Sequence, residues 1–294
     1  MTVQTWILGV ITFLASIVNG ALGYGFSSIT VPIALLVVVN RVLNPALVMI
    51  EVVLNAYVLF VNRGSLGLVW RRAVPVVLGL VPGVAIGTAI LTRVDPAWLR
   101  LITFVVLLPL ILLQAAGFRR PIRAERAVGA AFGVGLGVLY SITTISGPPL
   151  AIFLNNQGFA KVEFRAALGL IRFVEATLTS GAYATQGLFN AESASLLIGI
   201  MPSILIGVPI GVWLIRHVRA EAFRRICMSF DAAIVAFATS KLLRDLHIVN
   251  GGEAYLLLVG VMLFDAALLY RFFRTPSPSA PACAQPQSPL IQPG

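Results

Sequence analysis

The chain has 294 residues, of which 59% are hydrophobic and 11% charged, and its net charge is +10. A soluble domain carries about 25% charged residues, so this composition excludes a soluble globular fold and indicates an integral membrane protein. The positive charge lies in short loops between apolar runs, where it sets membrane topology. We therefore expect the lipid bilayer as the chain's surroundings and no nucleic-acid partner.

Apolar runs of about 20 residues are long enough to cross the hydrocarbon core, and the sequence has about eleven apolar segments. In chain order they cover 5–22, 26–40, 44–62, 73–92, 98–117, 127–146, 148–156, 166–185, 194–215, 222–243 and 253–270. No basic stretch precedes the first segment, which predicts a membrane helix and not a cleaved signal peptide. The predicted fold class is an all-α polytopic membrane protein. Residues 273–294, rich in Pro, Ser and Gln, are predicted to be disordered.

Two halves of the sequence resemble each other. "GLVPGVAIG" at 79–87 and "GIMPSILIG" at 199–207 share glycine and proline at an offset of 120, which also matches Asn55 with Glu175. Upstream, an offset of 117 matches "GALGYGFSSITVPIA" with "GVLYSITTISGPPLA". These matches predict two membrane repeats of about five segments each, 1–120 and 121–248, followed by an additional transmembrane helix at 249–272.

Charge decides the predicted orientation of the repeats. If segments 1–2 and 6–7 are hairpins, fifteen of the 21 Lys and Arg residues fall on one side and five on the other; as broken crossings, the loops split 11 to 9. The positive-inside rule favours hairpins, with the N-terminus outside and the C-terminus cytoplasmic. The repeats are then inverted, with opposed re-entrant or short helical hairpins. Transporters commonly have this architecture and bind substrate near the midplane.

Segment 148–156 is too short to cross, so we predict that it begins a helix inside the membrane, in a turn at Gly147. Pro148 fits the first helical turn, and a hydroxyl of the preceding residues can cap it. Free backbone N–H groups at such a start suit a small oxyanion. The substrate-binding candidates in the two hairpins are Ser27, Ser28, Thr30, Thr143, Thr144, Ser146, Gly147, Pro148 and Asn155.

Ionisable residues at membrane depth are candidate functional residues. Arg172 and Glu175 lie one turn apart, as do Glu51 and Asn55. A forked guanidinium suits an oxyanion, so Arg172 is a further substrate-binding candidate; the alternative is a structural ion pair with Glu175. Glu51, Asn55 and Glu175 are candidates for proton coupling or positioning, because a buried carboxyl group can hold a proton. We predict no metal site, cofactor or catalytic residue.

One long stretch resembles a known family. "YSITTISGPPLAIFLNNQGFAKVEFRAAL" looks like the second-repeat signature of the TauE/SafE family of sulfite and organosulfonate exporters, and "NGALGYGFSSITVPIALL" is similar to its first-repeat signature. The resemblance extends over about residues 5–270. It implies a secondary transporter of small sulfur-containing anions such as sulfite, sulfoacetate or other organosulfonates, in the inner membrane, without an ATP-binding domain. The sequence likewise has no P-loop pattern.

Two other functions compete with this prediction. A membrane-embedded polyprenyl-diphosphate phosphatase also uses opposed re-entrant hairpins, but the tips here lack an arginine and a cluster of acidic residues for a divalent metal. A passive anion channel depends on pore shape, which the sequence does not reveal. Assembly as a homo-oligomer is left open.

Overall fold

The computed structural model describes residues 3–23, 25–115, 125–157, 159, 161–215, 217–218, 220–249 and 251–274. Within these residues the chain forms eleven α-helices and no strand. They are α1 (Val3–Leu22), α2 (Phe26–Ala34), α3 (Asn40–Val61), α4 (Leu66–Arg93), α5 (Pro96–Ala115), α6 (Glu125–Thr143), α7 (Gly147–Asn156), α8 (Lys161–Thr185), α9 (Ala191–Leu214), α10 (Ala220–Asp245) and α11 (Leu256–Arg274). The predicted all-α fold is confirmed. The predicted repeat boundary near residue 120 and residues 275–294 lie outside the described residues.

Six helical stretches of the described chain are long and apolar enough to cross a membrane. They are Asn40–Val61, Arg63–Arg93, Pro96–Leu113, Ala191–Leu214, Arg225–Asp245 and Gly252–Arg274. A helix suits lipid because it pairs almost every backbone polar group within itself. The chain is therefore a polytopic membrane protein. Helix α8 is equally long, with 25 residues, but it carries Arg172 and Glu175 in its middle and lies at the centre of the bundle.

Two helices are too short to cross. Helix α2 has nine residues and α7 has ten, which is about 15 Å of helix, or half the hydrocarbon core. A tight turn joins each to the long helix before it. Gly23 and Gly25 have φ of 80° and 104° in the first turn, and Thr144 has φ of 55° in the second. The predicted pair of helical hairpins is therefore present.

The structure corrects two predicted boundaries. The apolar run 26–40 is not one helix, because α2 ends at Ala34 and its last residues form turns, with Val38 N–H donating to the Ala34 carbonyl at 2.8 Å. Helix α4 begins at Leu66 and not at residue 73. Arg71 and Arg72 are exposed on its first turns, so they reach water from within the helix.

Corresponding helices of the two predicted repeats run in opposite directions. In the first half of α3, Met49 Sδ lies 3.4 Å from the Ser180 hydroxyl in the second half of α8. Near the end of α3, Val58 packs on Gly169 in the first half of α8. In addition, α1 packs on α9 and α4 on α6, which pairs the first helix of each repeat with the fourth helix of the other. Both features agree with the predicted inverted repeats.

Glycines bring the paired helices into backbone contact. A Cβ atom on Gly83 of α4 would lie 2.3 Å from the Val134 carbonyl oxygen of α6. One on Gly211 of α9 would lie 2.0 Å from the Ile17 carbonyl oxygen of α1. No real side chain fits at these distances, so small residues set the close helix spacing here.

The bundle has two chemically different ends. Helices α3 and α9 end, and α4 and α8 begin, at what we call the basic end, where Arg63, Arg71, Arg72 and Arg165 lie. The start of α3 and the end of α4 form the opposite end, with Arg41 and Arg93. This grouping of the described basic residues is the one that the hairpin topology predicts.

Candidate functional site

Glu51 lies in the middle of α3, faces α8 and is 1% exposed. Its Oε1 lies 2.8 Å from Arg172 Nη2 and also accepts a hydrogen bond from the Ser27 hydroxyl. Its Oε2 accepts a hydrogen bond from the Tyr140 hydroxyl at 2.6 Å. Donors from α2, α6 and α8 therefore converge on one buried carboxylate. We call Ser27, Tyr140 and Arg172 the Glu51 cage.

A second buried glutamate lies one turn from Arg172 along α8. Glu175 is fully buried, and its Oε2 accepts a hydrogen bond from the Ser146 hydroxyl at 2.5 Å. Its Oε1 has no hydrogen-bond partner in the described part of the chain. Each hairpin tip therefore directs one serine hydroxyl to one glutamate. The ion pair of Arg172 is made across helices, with Glu51, and not along α8 with Glu175 as the alternative interpretation had it.

Two buried donors in this region, one of them on Arg172 of the cage, lack an acceptor. Arg172 Nε and Asn55 Nδ2 are buried and have no hydrogen-bond partner among the residues that the structure describes. Asn55 lies one turn after Glu51 on α3, toward the basic end. Leaving such a donor unsatisfied in a protein interior costs about 1–3 kcal/mol. Both groups can therefore serve an incoming oxyanion.

The hydroxyls of Thr143 and Thr144 at the second tip stabilise the turn before α7. Thr143 donates to the Leu139 carbonyl at 2.7 Å and accepts from the Ile145 N–H at 3.0 Å. Thr144 donates to the Thr143 carbonyl at 2.7 Å and carries the left-handed backbone. Gly147 was predicted to make this turn, but it is the first residue of α7. The threonine hydroxyls fix the turn three residues earlier.

The predicted row of backbone donors at the start of α7 is incomplete. Pro148 and Pro149 have no N–H, and the Leu150 N–H donates to the Ser146 carbonyl at 3.0 Å. Ser146 makes no side-chain cap, because its hydroxyl is directed to Glu175. Of the first three residues of α7, Gly147 alone has an amide N–H. Side chains, and not a run of amides, supply most donors near this tip.

The remaining predicted site residues differ in position. Ser28 and Thr30 are buried in α2, and the Thr30 hydroxyl has no partner within the described residues. Asn155 is exposed near the far end of α7, about 12 Å along the helix from Gly147. The structure thus gathers Ser27, Ser146 and the charged residues, and it leaves Asn155 away from them.

A cavity of about 520 Å³ lies at the basic end. Its wall is formed by Asn19, Gly20, Ala21, Gly23, Leu54, Tyr57, Val58, Val61, Asn62, Arg165, Leu168, Val208, Val212 and Ile215. Leu54 precedes Asn55 on α3, and Leu168 lies one turn before Arg172 on α8. The cavity therefore reaches within about one helical turn of the Glu51 cage, and exposed Arg165 provides positive charge on its wall.

At the end of the bundle opposite the basic end, hydrogen bonds join the start of α3 to the end of α4. The Arg41 guanidinium donates to three carbonyl groups at the end of α4. They belong to Leu91 (3.1 Å), Thr92 (2.8 Å) and Val94 (3.0 Å). Deeper in the bundle, Asn44 Nδ2 donates to the Ile142 carbonyl at 2.6 Å, and the Tyr183 hydroxyl donates to the Ser141 carbonyl. The larger cavity thus lies at the basic end, whereas the opposite end has these hydrogen-bonded helix ends and a smaller cavity of about 230 Å³ beside Thr88 and Arg93.

Among the described residues, no group of three or more His, Cys, Asp or Glu side chains lies close enough to hold a metal ion. A protein-family model described as sulfite exporter TauE/SafE matches residues 8–238. The chain belongs to the TauE/SafE family. No curated protein and no solved structure matches it. The family consists of transporters, so the chain is a membrane transporter. The TauE/SafE match includes both tips, α3 and α8, and ends before α11.

One member of the cage in this TauE/SafE protein, Tyr140, is not among the site residues predicted from the sequence. Tyr140 is fully buried near the end of α6. A tyrosine inside an apolar helix usually finds a hydrogen-bond partner for its hydroxyl, and that signal was present in the sequence. Arg41 was read only as a loop charge, because a contact between the start of α3 and the end of α4 depends on how these helices pack.

Proposed function

We propose that this TauE/SafE protein is a secondary transporter of small sulfur-containing anions such as sulfite, sulfoacetate or another organosulfonate, and that it works as an exporter. One observation carries the proposal. Arg172, 3% exposed in the middle of the bundle, lies one helical turn from Leu168, which lines the cavity at the basic end. A buried cation beside such a cavity is a candidate recognition site for an anion.

The chemistry of the cage suits a sulfur oxyanion. The Arg172 guanidinium presents several N–H donors in one plane and can bind two oxygens at once. Its Nε and Asn55 Nδ2, which have no partner among the described residues, supply two further donors. The hydroxyls of Ser27 and Tyr140 are already directed to an oxygen anion, the Glu51 carboxylate. Sulfite and sulfonate groups carry three oxygens that can accept from such a set.

The arrangement of the ends supports alternating access. The structure has an open cavity at the basic end and a hydrogen-bonded opposite end, and inverted repeats can exchange these two conformations. We place the basic end in the cytoplasm according to the positive-inside rule. The N-terminus is then outside the inner membrane and the C-terminus inside. The open cavity faces the cytoplasm, which is the side where an exporter takes up its substrate.

Flux of radiolabelled sulfite and sulfoacetate from proteoliposomes tests the proposal. We expect saturable wild-type flux that accelerates when the same anion is present on the other side, because a carrier exchanges faster than it returns empty. Arg172→Gln should abolish it. The matched control is Arg71→Gln, which removes an exposed charge at the basic end and should transport normally. Absence of flux for every sulfur anion, or normal flux in folded Arg172→Gln, contradicts the proposal. Unsaturated flux without acceleration indicates a channel.

A further inference from the structure

Arg172 Nη2 and the two hydroxyls of the Glu51 cage already bind a carboxylate of the protein itself. Both carboxylate oxygens of Glu51 accept hydrogen bonds, Oε1 from Arg172 and Ser27 and Oε2 from Tyr140. This is how a protein holds a bound oxyanion: one guanidinium and two hydroxyls around two negatively charged oxygens. Glu51 is therefore in the position that a transported anion needs in order to reach the same donors.

We propose that the Glu51 carboxylate is an internal substitute for the transported anion, and that it must take up a proton before the anion can bind to Arg172. The proposal rests on the function proposed above and concerns the regulation of the same site. In the unprotonated state Glu51 neutralises Arg172 and keeps the cage closed. Protonation makes Glu51 neutral, so that the guanidinium and the two hydroxyls can turn to the incoming anion.

Charge balance supports this exchange. An anion that contacts Arg172 while Glu51 is still ionised would bring two negative charges next to one guanidinium at membrane depth, which is strongly unfavourable where the dielectric constant is low. With Glu51 protonated, Arg172 and a monoanion form a neutral pair. The new O–H bond on Glu51 also changes a hydrogen-bond acceptor into a donor that can be directed to the anion.

The other ionisable groups near Glu51 are few. Tyr140 of α6 and Arg172 of α8 contact it directly, and Glu175 of α8 lies one turn from Arg172. Helix α2 contributes Ser27 and no ionisable residue. The charged residues of α4, α5 and α9 lie within two turns of a helix end. Glu51 is the carboxylate that contacts Arg172, so it is the group whose charge the anion must replace.

The proton balance of each step is simple. One proton from the water of the cavity forms an O–H bond with a Glu51 oxygen, and one anion then binds to Arg172. After the change of access both leave at the other end, and Glu51 again pairs with Arg172. No covalent bond to the anion forms or breaks. A monoanion is therefore carried together with one proton, without net movement of charge.

Calorimetric titration of the purified full-length protein with isethionate tests the exchange. Isethionate is a monoanionic sulfonate that does not titrate near neutral pH. Measurement at several pH values, in two buffers with different heats of ionisation, gives the number of protons taken up. For wild type we expect uptake of about one proton per anion, and an affinity that falls about tenfold per pH unit over the pH range where this uptake is measured. Glu51→Gln, which is always neutral, should bind at every pH without proton uptake.

Glu175→Gln is the matched control and should still take up about one proton, because Glu175 does not contact Arg172. Wild-type binding without proton uptake, or proton uptake that persists in Glu51→Gln, overturns the proposal and leaves the transporter function intact. Loss of proton uptake in Glu175→Gln alone overturns it as well. If Glu51→Gln fails to fold, the wild-type proton count decides. Absence of isethionate binding at any pH contradicts the proposed function itself.

Discussion

The two hairpin tips make the same contact in different electrostatic surroundings. At the first tip Ser27 donates to Glu51, whose carboxylate also binds Arg172 and Tyr140. At the second tip Ser146 donates to Glu175, whose other oxygen has no partner among the described residues. One glutamate is thus held by a cation and two hydroxyls, and the other by a single hydroxyl.

The difference shows that the two hairpins have a similar scaffold but hold their glutamates differently. Ser27 and Glu51 are 24 residues apart, and Ser146 and Glu175 are 29 apart, so the two pairs occupy non-equivalent positions of the repeats. The offset of 120 matches Glu175 with Asn55 and not with Glu51. The Glu51 cage joins Ser27 and Glu51 of the first predicted repeat with Tyr140 and Arg172 of the second, whereas Ser146 and Glu175 both belong to the second.

The largest expected effect concerns the ion pair of the first tip. Arg172→Gln leaves the Glu51 carboxylate buried without its cation, which should destabilise the fold by about 3–5 kcal/mol. Adding Glu51→Gln removes the unpaired charge, so the double variant should recover much of the lost stability. Adding Glu175→Gln instead should not. The apparent melting temperature in detergent, measured for each variant, provides the comparison.

Equal recovery from Glu51→Gln and Glu175→Gln would contradict the asymmetry between the tips. It would mean that Arg172 neutralises both glutamates to a similar extent. Recovery from Glu175→Gln alone would assign the ion pair to α8 itself, as the sequence-based alternative did.

The sequence was sufficient to identify the helices and the charged residues of this region. It was not sufficient to predict which of these residues contact each other. Length and apolar character placed α7 correctly, because a run of about nine residues cannot cross. Arg172 and Glu51 were found because ionisable residues at membrane depth are rare. Their pairing could not be found, since they are 121 residues apart and meet only through the antiparallel packing of α3 and α8.

Three details of the second tip differ from the prediction made from the sequence. The rule that helix starts offer free amides was applied to α7, although Pro148 and Pro149 remove two of the first three. Ser146 is a predicted helix cap. Its hydroxyl instead donates to the buried Glu175 carboxylate, which is a stronger acceptor. Asn155 was predicted to belong to the site at the tip, but it is exposed near the far end of α7.

A smaller effect should separate the two serines. Ser146→Ala removes the hydrogen bond to Glu175 Oε2 and leaves a buried acceptor unsatisfied, which costs about 1–3 kcal/mol. Ser27→Ala leaves Glu51 with Arg172 and Tyr140, so its cost should be near the ordinary value of about 1 kcal/mol. Melting temperatures in detergent should therefore fall further for Ser146→Ala. A larger fall for Ser27→Ala would reverse the comparison.

The smallest expected effect concerns the end of the bundle opposite the basic end. Arg41→Gln weakens three hydrogen bonds to the end of α4, a loss of about 1 kcal/mol that raises the population of the other conformation roughly fivefold. A cysteine placed at Ser141, which is 0% exposed near this end, in a protein without its two native cysteines, reports this change. An impermeant thiol reagent should label it several times faster in the Arg41→Gln background. Unchanged labelling would show that Arg41 does not hold this end closed.

The most direct test of anion recognition at Arg172 is the affinity of purified Arg172→Lys for isethionate at pH 6, compared with wild type and with Arg71→Lys. Lysine keeps the positive charge and the ion pair with Glu51 but loses the forked donor set. We predict wild-type affinity for Arg71→Lys and an affinity at least about tenfold lower for folded Arg172→Lys, which corresponds to about 1.4 kcal/mol. Wild-type affinity in folded Arg172→Lys would contradict the assignment of the anion to the Glu51 cage.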